Sequence, residues 1–158
     1  MNKKFPFDVS DEKNKQSSHS PDIVDDSENL IRFWHSPEHI DEDDNLLPSA
    51  ISTSDLKKHG FSVDREEFSS REYQDKQAKI REEKDPEKRK SRSLSTFKCK
   101  NVRKILSAED DRAFVVVDDG IPENIAHTHI FSLKYGDGTI RKHRIDLIDL
   151  LEEGLEKI

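Results

Sequence analysis

Apolar residues gather in five stretches of this chain, residues 30–34, 46–63, 94–106, 113–117 and 125–158, with charged and small polar residues between them. Residues 30–35, Leu-Ile-Arg-Phe-Trp-His, are aromatic and β-branched and read as a strand. Alternation puts Arg32 and Trp34 on one face and Ile31, Phe33 and His35 on the other. Pro37 marks its end. An acidic turn spans residues 38–45, and Leu46, Leu47 and Pro48 return the chain to the core. Thr53 or Ser54 can cap a short helix holding Leu56, and Gly60 fits its C-terminal stop. Residues 61–64 then read as a second short strand.

Ser69 and Glu72 have capping-box spacing and open a helix that runs to about Lys84, where Asp85-Pro86 stops it. Tyr73, Ala78 and Ile80 are its apolar residues, so it reads as solvated. A basic linker, Lys88 to Arg92, follows. Residues 96–100 alternate as a strand, and residues 101–106 read as a helical turn. Residues 113–117, Ala-Phe-Val-Val-Val, give the clearest strand signal. Residues 127–135 form a long strand, Gly136-Asp-Gly138 a tight turn, and Thr139 to His143 the return strand of a hairpin. From about Asp146, the residues Leu147, Ile148, Leu150, Leu151, Leu155 and Ile158 form a stripe at helical spacing. The expected fold class is α+β: a small, mostly antiparallel sheet with a C-terminal amphipathic helix, a solvated central helix and a disordered N-terminal arm.

Composition is what suggests the arm. Apolar residues make up 31% of the 158 and charged residues 39%, against about 45–50% and about 25% in an ordinary domain. Residues 1–28 carry chiefly Phe5, Phe7, Val9, Ile23 and Val24 as apolar groups, too few to offset ordering entropy. They read as a disordered arm in which Phe5-Pro-Phe7 is a candidate docking motif. Residues 29–158 read as a single α+β domain with a charged helix and linker inserted at about 69–93.

The net charge of −7 offers no whole-chain case for nucleic-acid binding. Cys99 is the sole cysteine, so neither an intrachain disulfide nor a cysteine zinc cluster can form. The N-terminus lacks the apolar core of a signal peptide, and no apolar run approaches the roughly 18 residues of a membrane span. The expectation is a cytoplasmic protein with no membrane contact and no cofactor.

The chain carries no phosphate loop, dinucleotide fingerprint, nucleophile elbow or metalloprotease helix. Its candidate catalytic residues are Arg32, His35, His127 and His129. His127 and His129 lie two apart on one strand, so both rings face the same way and suit acid–base work on a phosphodiester. His143, on the expected return strand, comes near them. Two histidines do not complete a metal site, and no acid is fixed beside them in sequence, so no metal is expected. His35 and His39 flank Pro37, and the acids at 41–44 read as a solvated turn. Lys88, Arg89, Lys90, Arg92, Lys98, Lys100, Arg103 and Lys104 form a basic stretch with Phe97 as its lone aromatic, a pattern that reads as a charged linker and strand more than a stacking platform.

Three stretches carry a resemblance: Arg32-Phe-Trp-His35 with Leu47-Pro-Ser-Ala-Ile51 after it, Gly60-Phe-Ser-Val-Asp-Arg65, and Pro122-Glu-Asn-Ile-Ala-His127. Together they resemble a group of small uncharacterised bacterial proteins with an early Arg/His strand, a Gly-Leu-Ser-Val-like segment and a late Asn-Pro-Ala-His-like segment. Phe61 and Ile125 depart from that pattern. The resemblance spans about residues 30–130 and implies a bacterial origin and, by analogy, a link to mobile-element or defence systems. Arg32, the run Ser52-Thr-Ser54 and a later glutamate also loosely resemble the order of groups in ADP-ribosyltransferases.

Three functions follow in order of expectation. The first is a non-enzymatic accessory or interaction subunit with a protein partner. The second is a small enzyme acting on a phosphodiester or NAD-type nucleotide through Arg32 and His127/His129. The third is a nucleic-acid binder using residues 88–104. Convergence of Arg32, His35, His127 and His129 in one concave pocket favours the second.

Overall fold

A computed structural model describes residues 7–20 and 22–158. The aromatic run of residues 30–35 lies inside β1 (Asn29–Pro37), which β2 (Phe61–Arg65) and β3 (Arg89–Lys98) flank. With β4 (Phe114–Asp118), β5 (His127–Ser132) and β6 (Leu155–Lys157) they form a six-stranded sheet of order β4-β5-β2-β1-β3-β6, each neighbouring pair antiparallel. Four α-helices, α1 (Asp11–Asn14), α2 (Arg71–Lys84), α3 (Cys99–Arg103) and α4 (Asp137–Glu153), and three short helical turns, Pro48–Ala50, Asp55–His59 around Leu56 and Glu66–Phe68, complete the described elements. The fold is α+β, as expected. Among the described residues no helix is long and apolar enough to cross a membrane.

Cross-strand partners share a face, and the register therefore sorts the sheet into two surfaces. Leu30, Trp34, Phe61, Val63, Phe97, Phe114, Val116 and Ile130 line one, buried in a single cluster with Ile140, Leu147, Ile148 and Leu151 of α4. Burying each of those four α4 side chains contributes about 1.5–3 kcal/mol, which anchors the helix. Trp34 adds polar specificity to this layer. Its indole donates to Ser95 Oγ at 2.8 Å, and Ser95 donates on to the Leu151 carbonyl at 2.8 Å.

The opposite surface carries Val115, Val117, Phe131 and Leu133 at one end and is covered by α2 at the other. Ser70 caps α2, its hydroxyl accepting from the Tyr73 amide at 3.2 Å, one residue beyond the expected Ser69. Only Gln74 and Ala78 of this helix are buried, in keeping with its solvated composition. Between the two covered ends stand His127 and His129, both half-buried.

Several expectations change. Residues 139–143 are helical: α4 begins at Asp137, so no return strand pairs with β5. Ile140 and His143 extend the buried stripe of Leu147 and Leu151 upstream of Asp146, and burial of that stripe outweighs the Gly-Asp-Gly turn signal. The basic linker is also a strand. Arg89 and Arg92 belong to β3, paired with Pro37 and His35 of β1, because Glu38 and Glu82 neutralise them. β6 pairs with β3 after Gly154. A Cβ at Gly154 would lie 1.9 Å from the Thr96 carbonyl oxygen, so only glycine lets α4 turn back this closely onto the sheet.

The expected N-terminal arm takes a packed course over its described part, while residues 1–6, with most of the Phe5-Pro-Phe7 motif, lie outside the described residues. Phe7 stacks on Phe131 with ring centroids 3.9 Å apart. The buried Glu12 carboxylate accepts from the Val116 amide at 2.8 Å and pairs with Arg112 at 2.6 Å and Arg103 at 3.2 Å. Val24 enters the core. Asp22 and Glu28 hold the guanidinium of Arg65, at 2.7 and 2.6 Å, beside Asp118 at 2.6 Å. Charge pairing fixes the segment where apolar area is scarce.

Candidate anion-binding pocket

β1 and β2 pair only at Leu30↔Arg65 and Ile31↔Asp64. Beyond that point the Ser62 carbonyl accepts from the Arg32 guanidinium instead, Nη1 to O at 2.8 Å. The side chain of Arg32 thus fills the opening between the two strands, its guanidinium carbon 5.1 Å from the Trp34 ring centre and 5.0 Å from that of Phe61. Its Nε is buried and has no hydrogen-bond partner. Burial pulls its pKa down to about 10.

This opening is the floor of a pocket of about 410 Å³, within the size range of small-molecule sites. β1 supplies Arg32 and His35, β2 supplies Ser62 and Asp64, β5 supplies His127, and α2 contributes Tyr73, Gln77 and Arg81. Asp64 is occupied by two amides, Gln74 Nε2 at 3.0 Å and Asn124 Nδ2 at 2.7 Å. Arg89 pairs with Glu38. Among the described residues neither Arg32 nor Arg81 has a carboxylate within ion-pair distance. Burial, and then the neighbouring Arg89, hold the pKa of Arg81 below its ordinary value. The lining therefore sets three guanidiniums, Arg32, Arg81 and Arg89, against two carboxylates, Glu38 and Asp64.

The histidines differ in their surroundings. His35 is buried, its Nε2 3.1 Å from Glu82 Oε2. Burial keeps its pKa below the ordinary value, against the pull of Glu82. Glu82 itself sits at about 2, chiefly because Arg92 donates to it. His39 Nδ1 accepts from the His35 amide at 3.0 Å, which leaves the ring proton on Nε2. A second proton would confront that amide, and burial already holds His39 at about 4. His127 faces the pocket through Nε2, 3.3 Å from Ser62 Oγ. Arg32 and His127 therefore meet on the same residue, Ser62, one at its carbonyl and the other at its hydroxyl.

His129 stands beside His127, ring centroids 4.7 Å apart, but outside the pocket lining. Burial and the neighbouring His127 keep its pKa below the ordinary value. His143 lies elsewhere, buried on α4 edge-on to Phe114 at 6.3 Å. Three of the four candidate residues, Arg32, His35 and His127, share one pocket, and the fourth adjoins it. The basic stretch does not act as a unit. Arg89, Arg92 and Arg103 are engaged by Glu38, Glu82 and Asp26 respectively, and Lys98 donates to the Ser27 carbonyl at 3.3 Å. Lys88, Lys90, Lys100 and Lys104 remain exposed.

No protein-family model, curated protein or solved structure matches this chain. Arg81, Gln77 and Tyr73 escape a sequence reading because their helix looks merely solvated. A usable signal exists in their spacing of four, which places all three on one helical face.

Proposed function

We propose that this pocket binds a phosphorylated small molecule of the nucleotide or phosphodiester class, and that the protein acts on it as an enzyme. The observation that carries the reading is a pair of guanidiniums, Arg32 and Arg81, facing a polar pocket without carboxylate partners. A buried cation is costly unless paired, and a planar guanidinium matches a phosphate in two-point geometry. A phosphate between them would supply the missing anion. His127 Nε2, on the same wall, is placed to exchange a proton with an ester or ribose oxygen of the bound ligand. Tyr73 and Phe33 offer ring surface for a base or sugar.

Calorimetry with inorganic phosphate, a 2′,3′-cyclic mononucleotide, NAD and an unphosphorylated nucleoside tests the reading. Phosphorylated probes are expected to bind, to weaken with added salt, and to lose at least tenfold in affinity in Arg32→Met and Arg81→Gln. His127→Gln is expected to retain binding and to lose turnover of whichever probe is cleaved. Nucleoside binding as tight as nucleotide binding, or full affinity in Arg32→Met, would refute it. The accessory-subunit and nucleic-acid readings have no comparable concentration of free charge behind them.

A further inference from the structure

We infer that Asp119, His127 and His129 form a binding site for one divalent transition ion of the zinc class. The site stands on these three residues, one of which, His127, also lines the neighbouring pocket, and it does not require that the pocket take phosphate.

The backbone brings the three together. His127 and His129 occupy alternate positions of β5 and face one side of the sheet. Asp118, the last residue of β4, pairs with Thr128 between them. Asp119 follows directly, and its amide donates to the His127 carbonyl at 2.9 Å. This holds the Asp119 backbone beside both rings, with its carboxylate half-exposed. Asp119 Oδ2 is 3.3 Å from His127 Nδ1 and 3.6 Å from His129 Nδ1. All three donor atoms lie within 4.8 Å of one another.

The two separations from Asp119 fit a shared ion. Two ligands each about 2.0–2.1 Å from a tetrahedral zinc stand roughly 3.3–3.4 Å apart. Two imidazole nitrogens and one carboxylate oxygen also form a donor set of borderline hardness. It suits Zn²⁺, Co²⁺ or Fe²⁺ and disfavours Mg²⁺ and Ca²⁺, which take oxygen ligands. Three protein ligands leave a coordination position open, as catalytic sites do and closed structural sites do not.

The ring of His129 is also held in place from behind. Gly60 has φ +89°, and a Cβ there would lie 2.3 Å from His129 Cγ. The imidazole therefore rests directly against the Gly60 backbone, and any side chain at that position would displace it from Asp119. With Nδ1 of His127 turned to Asp119, its Nε2 remains on Ser62 at the pocket wall. A ligand-oriented imidazole would thus connect the ion to the pocket.

The test uses the full-length, untagged protein stripped with a chelator. Co²⁺ titration is followed by its visible absorption bands and by calorimetry, with Zn²⁺ competition and with Mg²⁺ and Ca²⁺ as comparison ions. The expected result is one Co²⁺ per chain, displaced by Zn²⁺. Asp119→Asn and His129→Ala are each expected to weaken binding at least about tenfold, the lower end of what even an outer-sphere partner contributes. The exposed His19→Ala should bind as the parent does. Absence of saturable Co²⁺ binding, binding unchanged in Asp119→Asn and His129→Ala, or tighter binding of Mg²⁺ or Ca²⁺ would overturn the site. It would leave Asp119 as a plain hydrogen-bond acceptor for the two rings. Arg32→Met separates the two proposals, since it should bind Co²⁺ normally whether or not the pocket takes phosphate.

Discussion

Arg32→Met and Arg65→Met remove two buried guanidiniums of opposite character, and their stabilities should part sharply. Burial holds Arg32 at about 10 against an ordinary 12.5. At about 1.4 kcal/mol for each pH unit, its charged form loses on the order of 3 kcal/mol on folding. Against this stand one charged hydrogen bond to the Ser62 carbonyl, about 1.5–3 kcal/mol, and contacts with the Trp34 and Phe61 rings, about 0.5–2 kcal/mol. The sum is close to zero, and methionine keeps most of the stem's volume. Arg65 differs. It is 1% exposed and bonded to Asp22, Glu28 and Asp118, the last 0% exposed. Burial alone would lower its pKa, but the carboxylates outweigh that and raise it. Its loss strands Asp118 as a buried charge and should cost about 3–5 kcal/mol. In urea unfolding, with a slope of about 2 kcal/mol per molar, the midpoint of Arg65→Met should fall by roughly 2 M and that of Arg32→Met by no more than about 0.5 M. If Arg32→Met falls as far as Arg65→Met, Arg32 is a structural residue and the pocket loses its reason for holding a free cation.

Acid should destabilise the protein in two stages. Burial holds His39 at about 4 and keeps His35 and His129 below their ordinary value, so the unfolded chain takes up these protons first. Stability therefore falls as pH drops from about 6.5 toward 4. Glu82, held at about 2, adds a second loss as pH falls below about 4.5. Urea midpoints from pH 7.5 to 3.5 would show both, with the upper slope flatter in His39→Gln; equal stability at pH 7 and pH 5 contradicts the reasoning. Burial pushes the Cys99 thiol up to about 12, so a thiol reagent at pH 8 should label the native protein hardly at all and the urea-unfolded chain fully. Gly154→Ala should lower stability by more than about 2 kcal/mol, read by thermal unfolding, because its Cβ meets the Thr96 backbone and not a movable side chain.

The strands with strong periodicity are legible in the sequence, as is the stripe of the last helix up to Leu151; Leu155 instead begins β6 and Ile158 is exposed, because the helix ends at Glu153. Residues 113–117 become β4 with a shift of one, and Leu147 and Leu151 face the core as expected. What escapes is whatever depends on charge pairing at a distance. Arg89 and Arg92 look like a linker until Glu38 and Glu82 are seen to neutralise them. Glu12, Asp22 and Glu28 look like solvated arm residues until their arginines are known. Arg32, His35, His127 and His129 stand out in the sequence because their strands have clear alternation. Asp119 lies in a loop with no periodicity, and only the β4–β5 register places it beside the two histidines. The return strand expected at residues 139–143 shows the opposite failure: a local turn signal was outweighed by a buried stripe extending back to Ile140.

The carboxylate of Glu12 on the Val116 amide has a consequence for how molecules of this protein meet one another. β4 is a terminal strand of the sheet, and its sequence, Phe-Val-Val-Val, would offer an uncovered hydrogen-bonding edge for pairing with another chain. Glu12 occupies one of its outward amides and brings a charge to it, while α1 lies alongside. The segment that composition marks as a loose arm is thus a guard against edge-to-edge assembly. Deleting residues 1–20 should leave a sheet that aggregates at concentrations where the full chain stays dispersed, as light scattering would register, and Glu12→Lys should do so to a lesser degree.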